Sequence, residues 1–177
     1  MKTNAIVFER TGGPEVMELR ELPLPAPGAG EVQIEHRAVG LNFIEVYYRS
    51  GLYPSPMPAG LGNEASGVVT AVGAGVTQFK EGDRVAYGTG PVGAIGAYST
   101  RRNVPIQHVL KLPDNIAFDT AAAMMLKGLT VQYLLRRTYR VQAGETIVFH
   151  AAAGGVGLIA CQWAKALGVR TIGTVST

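Results

Sequence analysis

Residues 149–157 read FHAAAGGVG, in which small residues fall at Ala152-x-Gly154-x-x-Gly157, after an apolar run and before an amphipathic one. The spacing is a variant of G-x-G-x-x-G with alanine in the first place, and the chemistry it suits is dinucleotide binding. Gly154 has no Cβ to keep the backbone away from a pyrophosphate, and Gly157 lets a following helix pack close to the preceding strand. A helix N-terminus there also offers free N–H groups and partial positive charge to phosphate. Ala152, Ala153, Gly154, Gly155, Val156 and Gly157 are therefore the candidate cofactor contacts. The bland alternative is a Gly/Ala-rich tight turn that holds nothing. NAD-preferring sites carry an Asp or Glu about 20 residues beyond the loop, on the ribose 2′-hydroxyl. Residues 172–177 read IGTVST, with no acid. Their small hydroxyl residues, Ser176 among them, leave room for a 2′-phosphate, which points to NADPH.

No other constellation announces itself. Cys161 is the only cysteine, so neither an intrachain disulfide nor a multi-thiolate zinc site can form. His36, His108 and His150 each lack a second ligand at a telling spacing. The expectation is no metal, and no nucleophile–base–orienter set is visible. A reaction driven by a bound cofactor fits that pattern.

The elements around the loop are legible from periodicity. ETIVFHA (145–151) is a continuous apolar run, as expected of a strand buried on both faces of a parallel sheet. A helix at about 155–167 carries Val156, Ile159, Ala160, Trp163, Ala164 and Leu167 on one stripe and stops at Gly168. VRTIGTV (169–175) supplies a second strand, completing a strand–loop–helix–strand unit. DTAAAMMLKGLTVQYLLRR (119–137) is helical, with Gly128 expected to break it in two. Upstream, residues 1 to about 112 hold six to eight short strands between Gly- and Pro-rich turns, the pattern of a small barrel or sandwich. NFIEVYYRSG (42–51) interrupts them with helical spacing and a left-handed stop at Gly51. Pro54, Pro56 and Pro58 keep the next segment extended.

Composition closes off other classes. The 177 residues are 47% hydrophobic and 16% charged, the balance of a chain that folds around a core. The 23 glycines imply many tight turns and close backbone approaches. A net charge of +3 with only RR (101–102) and RRTYR (136–140) as clusters argues against nucleic acid or a membrane surface as partner. The N-terminus lacks the apolar core of a signal peptide, and no run approaches the roughly 18 apolar residues of a membrane span. The expected location is the cytoplasm.

Several segments together resemble the quinone oxidoreductase, ζ-crystallin-like branch of the zinc-independent medium-chain dehydrogenase/reductases. They are GGPEVMEL, AVGLNFIEVYYRSGLYP, GLGNEASGVVTAVGAGV, GDRVAYG, MMLKGLTVQYLL and HAAAGGVGLIACQWAKALG, the last with Gln162 and Lys165 at the family's spacing. The resemblance implies an α/β chain with a β-barrel: a chaperonin-10-like (GroES-like) catalytic domain over 1–125, then the first βαβ unit of a Rossmann NAD(P)-binding domain over 126–177. Zinc-dependent relatives carry Cys where this chain has Asn42, and His where it has Asn63, before Glu64. Neither amide is a credible zinc ligand. By the same resemblance Asn42 hydrogen-bonds substrate or nicotinamide ribose, Tyr47 and Tyr53 form an aromatic wall, and Lys127 and Thr130 approach the nicotinamide end. Glu64 reads as a structural bond to backbone or as a catalytic group.

The implied activity is NADPH-dependent reduction of a quinone, a strong hydride acceptor whose product anion is delocalised into a ring. The alternatives are a zinc-independent 2-alkenal or enoyl reductase, and a truncated, catalytically silent module. The family's chain is roughly twice as long and homo-oligomeric, a dimer. For 177 residues alone, with two Rossmann strands, the expectation is weak or absent NADPH binding and exposed strands covered by a neighbouring copy.

Overall fold

The computed structural model describes residues 1–88 and 95–176. The chain divides into two compact units, Met1–Met125 and Leu126–Thr177.

The first unit is antiparallel β with one short helix. Its elements are β1 (Lys2–Phe8), β2 (Glu18–Pro23), β3 (Glu31–Val39), α1 (Ile44–Ser50), β4 (Ala59–Gly60), β5 (Glu64–Val72), β6 (Arg84–Gly88), β7 (Arg101–Pro105) and β8 (Val109–Lys111). The strands form a three-stranded sheet ordered β2-β1-β4 and a five-stranded sheet ordered β7-β3-β5-β6-β8. β1 puts Thr3, Ala5 and Val7 inside, the period-2 alternation of a half-buried strand. The five-stranded sheet buries Val32, Ile34, Val69, Val85, Tyr87 and Val104 in one core.

β3 and β5 do not pair in simple register. The register shifts between Gln33 and Ile34 and again between His36 and Ala38. Such bulges bend a strand and deepen its twist, which curls a sheet toward closure. Gly67 permits the close crossing: a Cβ there would lie 2.0 Å from the Glu35 carbonyl oxygen. α1 ends where the sequence placed its stop, with Gly51 at φ 86° and its N–H on the Tyr48 carbonyl.

In the second unit, β9 (Thr146–Phe149), α3 (Gly155–Ala166) and β10 (Arg170–Gly173) form the strand–helix–strand unit, with β9 and β10 parallel. α2 (Phe118–Tyr133) ends here in a π-helical turn over Leu134–Thr138. Gly128 does not break α2, contrary to the expectation from sequence. A helical glycine costs about 1 kcal/mol. Val131 and Leu135, buried with Val141, Ala160, Ala164 and Val169, supply packing that outweighs it. The stripe read on α3 is the one that packs: Val156, Ile159, Trp163 and Leu167 join this cluster.

β9 departs from the reading as a strand buried on both faces. Ile147 and Phe149 pack on the cluster, while Val148 is 61% exposed. Burial on both faces needs a layer on each side of a sheet, and the cluster lies against one.

Candidate functional site

The glycine loop is stitched into the ends of both parallel strands. The Ala152 N–H donates to the Thr174 carbonyl (3.0 Å), and the Thr174 N–H to the Phe149 carbonyl (3.0 Å). Ala151 turns the chain with φ 54°, a left-handed conformation uncommon for a residue with a Cβ. The Gly154 N–H closes the turn onto the Ala151 carbonyl (2.9 Å). A Cβ on Gly157 would stand 2.5 Å from the carbonyl oxygens of both Ala151 and Ala152, so only glycine lets α3 start this close to the loop.

The first intrahelical bond runs from the Leu158 N–H to the Gly154 carbonyl (2.9 Å). The N–H groups of Gly155, Val156 and Gly157 precede it and have no acceptor inside the helix, as at any helix start. The aliphatic stem of Lys127 crosses this turn: a Cβ on Gly155 would lie 2.9 Å from its Cε and 3.0 Å from its Cδ. Ala151, Ala153, Gly154, Thr174, Val175 and Ser176 line a cavity of about 550 Å³ beside the loop. Bare N–H groups, a lysine at the helix start and a lining without a carboxylate fit a phosphorylated dinucleotide. Val156 offers its backbone only, since its side chain packs inward. The Thr130 hydroxyl donates to the Leu126 carbonyl in its own helix (2.7 Å), which leaves it only acceptor capacity. Of IGTVST, Thr177 lies outside the described residues.

In the first unit, Asn42 sits just before α1 and is held at both ends. Its Nδ2 donates to Glu64 Oε1 (2.7 Å), and its backbone N–H donates to Glu45 Oε2 (2.7 Å). Glu45 is itself held by Asn63, whose Nδ2 donates to Oε1 (2.9 Å). Both carboxylates are buried, Glu64 completely. Burial raises the Glu45 carboxyl above its usual range, against the bonds from Asn63 and the Asn42 backbone that favour the anion. Gly40 makes room for the cluster: a Cβ there would lie 2.3 Å from Glu64 Cγ. The Tyr98 hydroxyl is buried beside the cluster without a hydrogen bond of normal geometry. Its pKa is raised, first by burial and then by Glu45 and Glu64.

Tyr47 and Tyr53 meet edge to face with ring centroids 5.3 Å apart. Two rings not singled out in the sequence extend the pair: Phe43 lies 5.3 Å from Tyr47, and Tyr48 lies 5.7 Å from Tyr53. Phe43 is 70% exposed and Tyr53 43%, so the aromatic run presents a surface to solvent. Glu45 was also missed, although Asn42-x-x-Glu45 has the spacing of a capping box and could have revealed it. Asn42, which bonds Glu64, lies 22 residues away, a pairing that no local pattern encodes.

Two of the three histidines are engaged by neighbouring groups. His36 Nδ1 lies 2.7 Å from the Ser99 carbonyl, and Nε2 lies 2.9 Å from the Tyr87 hydroxyl. His150 Nδ1 meets Thr174 Oγ1 at 3.0 Å. Among the described residues, no three of His, Cys, Asp and Glu gather in a way that could hold a metal ion.

Comparison with known proteins places these features. Residues 28–114 match the alcohol dehydrogenase GroES-like domain. A quinone oxidoreductase of Pseudomonas aeruginosa is 61% identical over 173 residues, which cover 97% of this chain and 52% of that protein. The crystal structure of the quinone oxidoreductase of Pseudomonas syringae pv. Tomato DC3000 superposes with a TM-score of 0.93 at 60% identity, covering 100% of this chain and 54% of the other. That of the Escherichia coli quinone oxidoreductase, complexed with NADPH, superposes with a TM-score of 0.92 at 53% identity, covering 98% and 53%. The chain thus spans about half the length of these relatives.

Proposed function

Because this chain belongs to the quinone oxidoreductase family, as an N-terminal portion of it, we propose that the protein reduces quinones with NADPH and without a metal. Residues 1–125 act as the GroES-like catalytic domain, and 126–177 open the Rossmann NADPH-binding domain. The observation that carries the reading is the pairing, on one short segment, of a held amide at Asn42 with the exposed aromatic run of Phe43, Tyr47 and Tyr53. A flat conjugated ring with polar edges is the ligand such a surface suits.

NADPH, when bound, supplies the hydride, and a quinone accepts it without a Lewis acid because the product anion spreads into its ring. The residues of this chain bind and orient. Gly154, Gly155 and Gly157 open the loop to the pyrophosphate, with the first-turn N–H groups of α3 as donors. Ala152 and Ala153 shape the loop, and Ser176 lines the adjoining cavity, where no acid opposes a 2′-phosphate. Lys127 adds positive charge at the helix start. Tyr47 and Tyr53 stack against the substrate, and Asn42 provides a polar contact. The homo-oligomer expected for the family is the proposed assembly.

The test follows NADPH oxidation by the protein as its gene encodes it. Acceptors are 1,4-benzoquinone and an α,β-unsaturated ketone, each with and without EDTA. Faster turnover of the quinone, unchanged by EDTA, is expected. Preference for the enone would replace the quinone reading with an alkenal or enoyl reductase. Loss of activity in EDTA would overturn the metal-free mechanism.

A further inference from the structure

The contacts of Asn42 go beyond a polar group near a substrate. An amide has two ends of opposite character, a donating NH2 and an accepting oxygen, and a free asparagine can turn either toward a ligand. Asn42 is not free to turn. Its Nδ2 donates one of its two protons to Glu64 Oε1 at 2.7 Å, inside the protein, on a carboxylate with no exposed surface. Its backbone is fixed by Glu45, and Glu45 by Asn63. Flipping the amide would set Oδ1 against the Glu64 oxygen, acceptor on acceptor, and leave a buried carboxylate short of a donor. Taking a donor from a buried carboxylate and facing it with a second acceptor costs more than an ordinary hydrogen bond returns. Among the described residues no hydrogen bond reaches Oδ1, so the held amide keeps this acceptor in one orientation, open to a ligand.

We propose that Glu64 is a positioning residue, which locks the Asn42 amide so that Oδ1 faces the ligand as a fixed acceptor for a hydroxyl group. A hydroxyl donor, from the ribose of the cofactor or from the reduced quinone, is the ligand that such a fixed acceptor takes. The identity of the ligands rests on the function proposed above. The lock does not, and it can be measured without turnover.

The first readout is the side-chain 15N–1H2 pair of Asn42, assigned by its loss in Asn42→Asp. In the lock it is protected from solvent exchange relative to exposed asparagine side chains, and Glu64→Gln moves its shifts. Addition of 1,4-hydroquinone or NADPH names the source of the hydroxyl by which one perturbs the pair. Exchange as fast as in a free amide overturns the lock, even where Glu64→Gln does not fold. No perturbation by either donor overturns the acceptor assignment.

The second readout is a double-mutant cycle on NADPH-dependent quinone turnover. Replacing a charge-assisted partner by a neutral one in Glu64→Gln lowers kcat/KM by about tenfold with Asn42 present, and by less than about twofold in Asn42→Ala. The same loss in both backgrounds shows that Glu64 serves the fold alone, and overturns the proposal. If the unmutated protein turns over no quinone, the function fails while the amide measurements still decide the lock.

Discussion

Acidification gives a direct test of the core of the first unit, through His36. The Ser99 carbonyl 2.7 Å from Nδ1 can only accept, so Nδ1 carries the proton of the neutral ring, and Nε2 accepts from the Tyr87 hydroxyl. Protonation would add a second charge near the buried Arg102, on a ring that is itself mostly buried. Burial is the main cause that lowers the His36 pKa from 6.5 to about 4, opposed by the Ser99 bond and assisted by Arg102. Between these values the unfolded chain holds a proton that the folded chain does not, so stability rises with pH across that window. Acidifying from 6.5 to 4 therefore removes the contribution, and below about 4 no more is lost to this group. At about 1.4 kcal/mol per unit, the loss is about 3 kcal/mol, against a typical stability of 5–15 kcal/mol. Glu45, with its pKa raised, acts in the opposite sense, since acidification relieves its buried charge. A comparison with His36→Gln, which keeps a donor and an acceptor but does not titrate, isolates the histidine. The assay is urea unfolding at several pH values from 4 to 7, followed by far-UV circular dichroism. Trp163 fluorescence will not serve, because the only tryptophan lies in the second unit. The wild-type curve is expected to fall more steeply than that of the variant by the full 3 kcal/mol or so. Parallel curves would refute the reasoning.

For Gly157→Ala, a gain of about 1 kcal/mol in helix propensity opposes a clash with two carbonyl oxygens that costs about 1–3 kcal/mol. Net destabilisation of the second unit by about 1 kcal/mol is expected in urea unfolding followed by Trp163 fluorescence, with weaker NADPH binding beside it; an unchanged midpoint would count against the close approach. Arg84 donates to the carbonyls of Pro113 (2.9 Å) and Ile116 (2.7 Å) and lies 4.5 Å over the Phe118 ring. Arg84→Met should cost about 1–3 kcal/mol by thermal unfolding, and Arg84→Lys should restore less than half of it, because an ammonium cannot fork to two carbonyls. Full restoration by lysine would show that charge alone matters there.

The glycine loop and its strand–helix–strand setting were legible in the sequence because everything they need is local. Ala152, Gly154 and Gly157 act through the absence or smallness of a Cβ, and the flanking strand and helix declare themselves by period within a few residues. The stripe on α3 and the stop at Gly51 were readable for the same reason. What escaped were features decided by partners far along the chain. Gly128 is carried through its helix by the packing of Val131 and Leu135 in one cluster with Ala160, Ala164 and Val169, the exposure of Val148 depends on which layers cover the sheet, and the two-residue β4 is defined by its pairing with β1. Asn42 could be named from a resemblance, but its orientation could not, since the carboxylate that fixes it is Glu64. His36 likewise depends on Tyr87 and Ser99, 51 and 63 residues away. Residue type and spacing thus determined which groups are available for chemistry. Only the tertiary fold decided which way they face and whether they are charged, because buried hydrogen bonds and lost solvation come from neighbours that the chain order does not bring together.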